Sequence, residues 1–135
     1  MVEKAQLLAM MAAAVGWREK AYAPYSNYRV GAAVMGGSGK VYLGCNVENA
    51  SYGLTVCAER VAIWKAISEG ENEIQAVMIA VGDDEIPRPC GACLQVMAEF
   101  APAGEPMHIM AVAGDGTYEL HTLEDHLPMP FTLEE

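Results

Sequence analysis

Residues 74–81, Ile74-Gln75-Ala76-Val77-Met78-Ile79-Ala80-Val81, decide the architecture of this chain. Apolar except for Gln75, the run is too continuous for a half-exposed strand and suits a central strand covered on both faces. A helical pattern stands on each side of it. Upstream, the pattern runs from Val56 or Cys57 to Glu69 and closes at Gly70, a plausible C-terminal cap. Val61, Ala62, Ile63, Trp64, Ala66 and Ile67 make that helix apolar nearly all round, which predicts cover on both of its sides. Downstream, a loop carrying Pro87 and Pro89 leads into a second helix from about Cys90 to Phe100.

Further out, two strands are expected at Tyr28–Met35 and Lys40–Val47. Gly36-Gly37-Ser38-Gly39 joins them with the glycines that a hairpin turn demands. Ahead of them, residues 3–22 read as an amphipathic helix with Leu8, Met11 and Val15 on one face and Leu7 and Ala14 beside them, ended by Pro24 and a turn at Ser26-Asn27. After the second helix come strands at Met107–Ala113 and Thr117–Leu120 across the turn Gly114-Asp115-Gly116, then a short helix at Thr122–Leu127. The order αββαβαββ predicts an α/β fold, a sandwich of helices on a five-stranded mixed sheet. No repeat, low-complexity segment or linker interrupts it, so residues 1–135 are expected to form one domain.

Composition narrows the function. The 135 residues carry 8 basic and 18 acidic side chains, a formal charge of −10, which disfavours a long phosphate-tracking surface and so a polynucleotide partner. A 53% hydrophobic content is too apolar for a disordered chain. The apolar run Leu7–Trp17 is shorter than a membrane span, and Glu3 cancels Lys4 where a signal peptide would be positive. A reduced, cytoplasmic protein is the better reading. Its four cysteines, Cys45, Cys57, Cys90 and Cys93, then suggest metal or catalysis rather than disulfides.

Cys90-Gly91-Ala92-Cys93 places two thiols on one helical turn, and Cys57 opens the other inter-strand helix. Helix N-termini favour thiolate over thiol, as metal ligation requires. Three such ligands suit tetrahedral zinc with a fourth position left for water, the pattern of a catalytic site. Glu59, two residues past one ligand, is placed to take a proton from that water and return it to a leaving group. A cysteine or histidine two residues before a glutamate, followed later by P-C-x-x-C, is the signature of the zinc nucleoside and nucleobase deaminases.

With these residues in view, the chain resembles the small, homotetrameric cytidine deaminases. The resemblance rests on five blocks in order: Tyr22-Ala23-Pro24-Tyr25-Ser26, Val30-Gly31-Ala32-Ala33, Asn46-Val47-Glu48-Asn49-Ala50-Ser51-Tyr52, Cys57-Ala58-Glu59-Arg60 and Pro89-Cys90-Gly91-Ala92-Cys93. It spans about residues 20–100, with a weaker echo at Leu127-Pro128 and Phe131. It implies an α/β/α sandwich and one zinc ion per subunit held by Cys57, Cys90 and Cys93, with Glu59 as proton shuttle. Asn46 and Glu48 would hold the ribose hydroxyl, Tyr28 would lie beside the base, and the Ala58 amide would meet a pyrimidine oxygen. Phe131 would be lent to a neighbouring subunit's pocket in a homotetramer with shared sites. Two positions depart from the family pattern: Tyr28 stands where phenylalanine is common, and Leu94 where a basic residue often follows the C-x-x-C pair.

A zinc ion with three thiolates carries net −1. The helix N-termini and Arg60 are the available sources of compensating charge. The activity implied is hydrolytic deamination of cytidine and deoxycytidine to the uridines plus ammonia, as in pyrimidine salvage. The alternatives are a deaminase for another cytosine-like small molecule, such as a nucleoside antibiotic, and a non-catalytic zinc module using all four cysteines. Structural four-thiolate sites usually come as two close pairs, so Cys45 is read as packing. His108, His121 and His126 show no metal spacing.

Overall fold

In the computed structural model, which describes residues 2–133, the expected central strand is β3 (Ile74–Val81), with its bounds as read from the sequence. Met1, Glu134 and Glu135 of the expected domain lie outside the described residues. The sheet order is β2-β1-β3-β4-β5, from β1 (Val30–Gly36), β2 (Val41–Cys45), β4 (His108–Val112) and β5 (Tyr118–Thr122). Only β3 and β4 run parallel, so the sheet is mixed.

Side chains alternate across this sheet and feed two cores. On one face Val34, Val77, Ile79 and Ile109 pack under helices α2 (Ala58–Ser68) and α3 (Gly91–Glu99). On the other, Met35, Met78, Met110 and Val112 pack under α1 (Lys4–Trp17). Both faces are covered, which is why β3 reads as an unbroken apolar run. The result is a three-layer α/β/α sandwich, closed by the short α4 (Leu123–His126).

Two expectations need correction. The first helix ends at Trp17 and tightens into a 3-10 turn at Arg18–Lys20 instead of running to residue 22. Its buried face is Leu7, Met10 and Ala14, while Leu8 is exposed and Met11 and Val15 are only partly buried. Both triads share helical spacing in a segment apolar all round, so periodicity alone cannot phase it. The helix α2 is covered on one side only within the chain. Ala58, Ala62, Ile63 and Ala66 face the core, whereas Trp64 is 46% exposed.

Close approach fixes α2 against the hairpin. A Cβ at Gly44 would sit 2.5 Å from the Ala62 nitrogen and 2.7 Å from the Ala58 oxygen, so only glycine lets the first turns of α2 rest on β2. Lys65 Nζ donates to the Leu43 carbonyl at 2.7 Å, covering part of the edge strand. Beyond α2, Gly70 takes φ +108°, the left-handed cap conformation expected of it. Glu71 then turns back to the β1–β2 connection. Its carboxylate accepts from the Ser38 nitrogen at 3.1 Å, Ser38 Oγ at 2.5 Å and the Tyr42 hydroxyl at 2.8 Å. These donors hold the Glu71 carboxyl below its ordinary range, the Ser38 hydroxyl foremost.

Candidate metal centre and active site

Cys57 and Cys90 are the N-cap residues of α2 and α3, both in extended backbone conformation, so each sulfur lies at a helix start. Cys93 lies in the first turn of α3, where its backbone N–H donates to Cys90 Sγ at 3.5 Å. The sulfurs of Cys57 and Cys90 are 3.7 Å apart, those of Cys90 and Cys93 3.5 Å, and all three fall within 4.8 Å of one another. Among the described residues no other group of three or more such side chains meets in this way. Cys45 is not in the cluster; burial pushes its thiol up.

Two of the sulfurs shift in opposite directions: Cys57 is lowered, while the bond to Cys57 and burial push the Cys93 thiol up. The Cys93 thiol and the Arg60 guanidinium bring Cys57 down to about 5, well into thiolate territory. Arg60 Nη2 donates to Cys57 Sγ at 3.5 Å, and its guanidinium carbon lies 6.0 Å from the centre of the Trp64 ring. The Arg60 Nε is buried without a partner, which places the side chain in the site rather than in solvent. Leu94 is packed into the core, so it contributes no charge there. Three converging soft donors, one of them fully buried, fit zinc. Cys90 is exposed while Cys93 is buried, so the cluster opens outward on the Cys90 side.

Glu59 stands on the first turn of α2 and is only 5% exposed. Burial pushes its carboxyl up to about 7, a value suited to exchanging protons near neutrality. Ala58, its neighbour, is fully buried and begins the helix. Tyr28 belongs to the loop before β1 and is 43% exposed. Its hydroxyl is raised first by burial and then by the negative charges of Asp83, Glu59 and Glu85.

Asn46 and Glu48 are brought to the same loop, by contacts that the sequence does not advertise. Asn46 Nδ2 donates to the Tyr28 carbonyl at 2.7 Å, and its Oδ1 accepts from the Val30 nitrogen at 2.9 Å. Glu48 Oε1 accepts from the Tyr25 and Ser26 nitrogens at 2.9 and 3.2 Å, and Oε2 accepts from the Ser26 hydroxyl. An amide has two donors and two acceptor sites and a carboxylate about four acceptor sites, so each side chain keeps capacity for a ligand. Phe131 is not brought to the cluster. Its ring is 71% exposed, and its carbonyl accepts from Gln95 Nε2 at 2.9 Å, tying the tail to α3. Ser26, Trp64 and Gln95 are participants that sequence reading did not single out. Sequence reading has Ser26 only in a turn and a family-like block, and Trp64 only as part of an apolar helix.

Residues 4–106 match the family model described as the cytidine and deoxycytidylate deaminase zinc-binding region. The chain is 45% identical over 122 residues to a cytidine deaminase of Halalkalibacterium halodurans, covering 90% of this chain and 91% of that one. It is 44% identical over 119 residues to a cytidine deaminase of Sporosarcina psychrophila, covering 87% and 85%. Among solved structures, the cytidine deaminase from Burkholderia pseudomallei superposes with a TM-score of 0.85 at 42% identity, over 92% of this chain and 98% of that one.

Proposed function

The chain belongs to the cytidine and deoxycytidylate deaminase family, and from that premise we propose that it hydrolyses the exocyclic C–N bond of cytidine and deoxycytidine, releasing ammonia and the corresponding uridine. One observation carries the reading: a buried carboxyl, Glu59, sits on the same helical turn that presents the Cys57 sulfur to a three-sulfur cluster. In this reading Cys57, Cys90 and Cys93 hold one zinc ion per subunit. Zinc, when bound, supplies a water-derived nucleophile at neutral pH.

The remaining work falls to side chains. Glu59 takes a proton from the attacking water and passes it to the ring nitrogen N3, which makes C4 electrophilic. The water oxygen bonds to C4, and the same carboxyl then carries that oxygen's remaining proton to the exocyclic nitrogen, so that the C4–N bond breaks, the C4 carbonyl forms and ammonia leaves. Burial of Glu59 keeps bulk water from competing for the proton and pushes its carboxyl up from the ordinary carboxylate range. Tyr28 packs beside the base, Asn46 and Glu48 use their spare hydrogen-bonding capacity on the sugar hydroxyls, and the Ala58 amide meets the pyrimidine oxygen. Arg60 offsets the excess negative charge of three thiolates.

The assembly we propose is a homotetramer with shared sites. Support comes from large apolar side chains left exposed on α2 and the tail, Trp64 at 46% and Phe131 at 71%, which a neighbouring subunit would cover. Its setting is pyrimidine salvage in the cytoplasm. No helix among the described residues is long and apolar enough to cross a membrane.

An absorbance assay over a panel of nucleosides and their 5′-monophosphates, with zinc measured in the same sample, tests the reading. Turnover of cytidine with about one equivalent of zinc per chain is the expected result. Stoichiometric zinc without turnover of any cytosine compound would favour a binding module instead.

A further inference from the structure

Ser26 lies between the two groups assigned to sugar and base. Its hydroxyl donates to Glu48 Oε2, and the same oxygen accepts from the Tyr28 backbone nitrogen at 3.0 Å. Tyr28 is thereby held at both backbone polar atoms, its nitrogen by Ser26 and its carbonyl by Asn46 at 2.7 Å. The intervening residue, Asn27, has φ +57°, a left-handed conformation that asparagine tolerates better than most residues. Its nitrogen donates to the Ala23 carbonyl at 2.9 Å, completing a tight turn.

A serine hydroxyl has one proton to give and two lone pairs to accept with. Here the proton goes to the carboxylate and one lone pair to the aromatic residue's backbone. Neither link can be made by a methyl group. The two bonds also polarise one another, because the oxygen that gives its proton to a charged acceptor becomes the better acceptor itself.

We propose that Ser26 is a positioning residue, whose hydroxyl fixes the Glu48 carboxylate and the Tyr28 backbone relative to each other so that sugar and base contacts form one preorganised unit. This rests on the function proposed above. The sugar contact Glu48 and the base contact Tyr28 come from separate loops, and the Ser26 hydroxyl, 22 positions before Glu48, joins them directly. The carboxylate is also held low by its donors, with the Ser26 hydroxyl the largest influence.

The test compares Ser26→Ala with Ser26→Thr in the zinc-loaded full chain. Ser26→Ala should raise KM for cytidine about 10-fold, the low end for losing a hydrogen bond to a charged group, because Oε1 keeps its two backbone donors. Zinc content and kcat should be unchanged, as expected when binding common to ground and transition states is lost. Ser26→Thr keeps the hydroxyl and should restore KM. The Glu48 carboxyl, followed by carbon-13 NMR, should titrate at higher pH in Ser26→Ala than in Ser26→Thr.

An unchanged KM in Ser26→Ala, a rise that Ser26→Thr does not repair, or a Glu48 titration that does not move would overturn the assignment. A role in folding alone would move kcat and KM together with the melting point, leaving Glu48's titration unchanged relative to the threonine variant. Should Ser26→Ala fail to fold, Ser26→Cys, a weaker donor, replaces it with the same direction of change. Were the unsubstituted chain itself to leave cytidine intact, the deaminase reading would fall. The Glu48 titration would still decide whether the hydroxyl controls that carboxylate.

Discussion

Arg60 reaches back one helical turn to place Nη2 3.5 Å from Cys57 Sγ, so the sulfur at the start of α2 is hydrogen-bonded by a cation from the same helix. In the proposed zinc site three thiolates and a divalent ion would sum to −1, and the guanidinium held at Cys57 would bring the assembly to neutrality.

Replacing Arg60 by Gln should therefore cost about 10–100-fold in zinc affinity or in kcat/KM, the usual penalty for removing a partner of a metal ligand. Competition with a chelator and steady-state kinetics on the same variant measure both. Wild-type values for each would mean that the helix N-termini alone balance the sulfurs.

Glu59→Gln keeps the shape of the buried side chain but cannot carry a proton. Turnover should fall about 10²–10⁴-fold or more, since one group serves two transfers. Zinc content and melting temperature should stay near those of the parent. Near-normal turnover would remove Glu59 from the proton path.

The cysteines separate cleanly. Cys90→Ala should reduce bound zinc well below one equivalent per chain, whereas Cys45→Ala should leave it unchanged, since Cys45 stands outside the cluster. Atomic absorption on the purified variants decides. Loss of zinc from Cys45→Ala would revive a four-thiolate site.

Much of this site is legible in the sequence because its parts are local. Cys57-Ala58-Glu59 and Cys90-Gly91-Ala92-Cys93 each fit within a helical turn, and helical geometry does the rest. The strand Ile74–Val81 is equally plain, since two covered faces leave no polar alternation to interpret. What stays hidden is long-range or depends on phase. The Ser26 and Glu48 pair spans 22 positions and looks like ordinary turn chemistry from either end. The phase of α1 is ambiguous because Leu7 and Leu8, or Met10 and Met11, are chemically equivalent neighbours. Trp64 is read as buried from composition, yet α2 turns it away from its own sheet.

Glu71 gives the fold an acid-sensitive tie. Its folded carboxyl lies below its ordinary value of 4.5, so the stabilisation is present above that pH and is lost as pH falls through the lower folded value. Glu71→Gln should lower the thermal midpoint at pH 7 and make the midpoint fall less steeply below about pH 4.5. Parallel pH profiles for the two proteins would contradict this. The Tyr42 hydroxyl, raised to about 12 chiefly by its bond to Glu71, should titrate at lower pH in the variant.

The tail offers a test of shared sites. Truncation before Phe131 should raise KM several-fold while leaving zinc in place, if that ring completes a neighbour's pocket. Light scattering of a fully active sample should give a mass near four chains; a mass near 14.5 kDa would refute the shared pocket.

The division of the sulfurs between two helix starts also has a consequence in time. Cys90 and Cys93 share one turn, so a chain that has formed little more than α3 already offers a loose, two-point foothold for metal. Cys57, 33 residues earlier, joins them only when β1, β3 and β4 have assembled and brought α2 alongside. Pairings between such distant segments are the slow events of folding. Three-point retention of the ion would therefore require the assembled sheet, so bound metal would be an indicator of the finished fold.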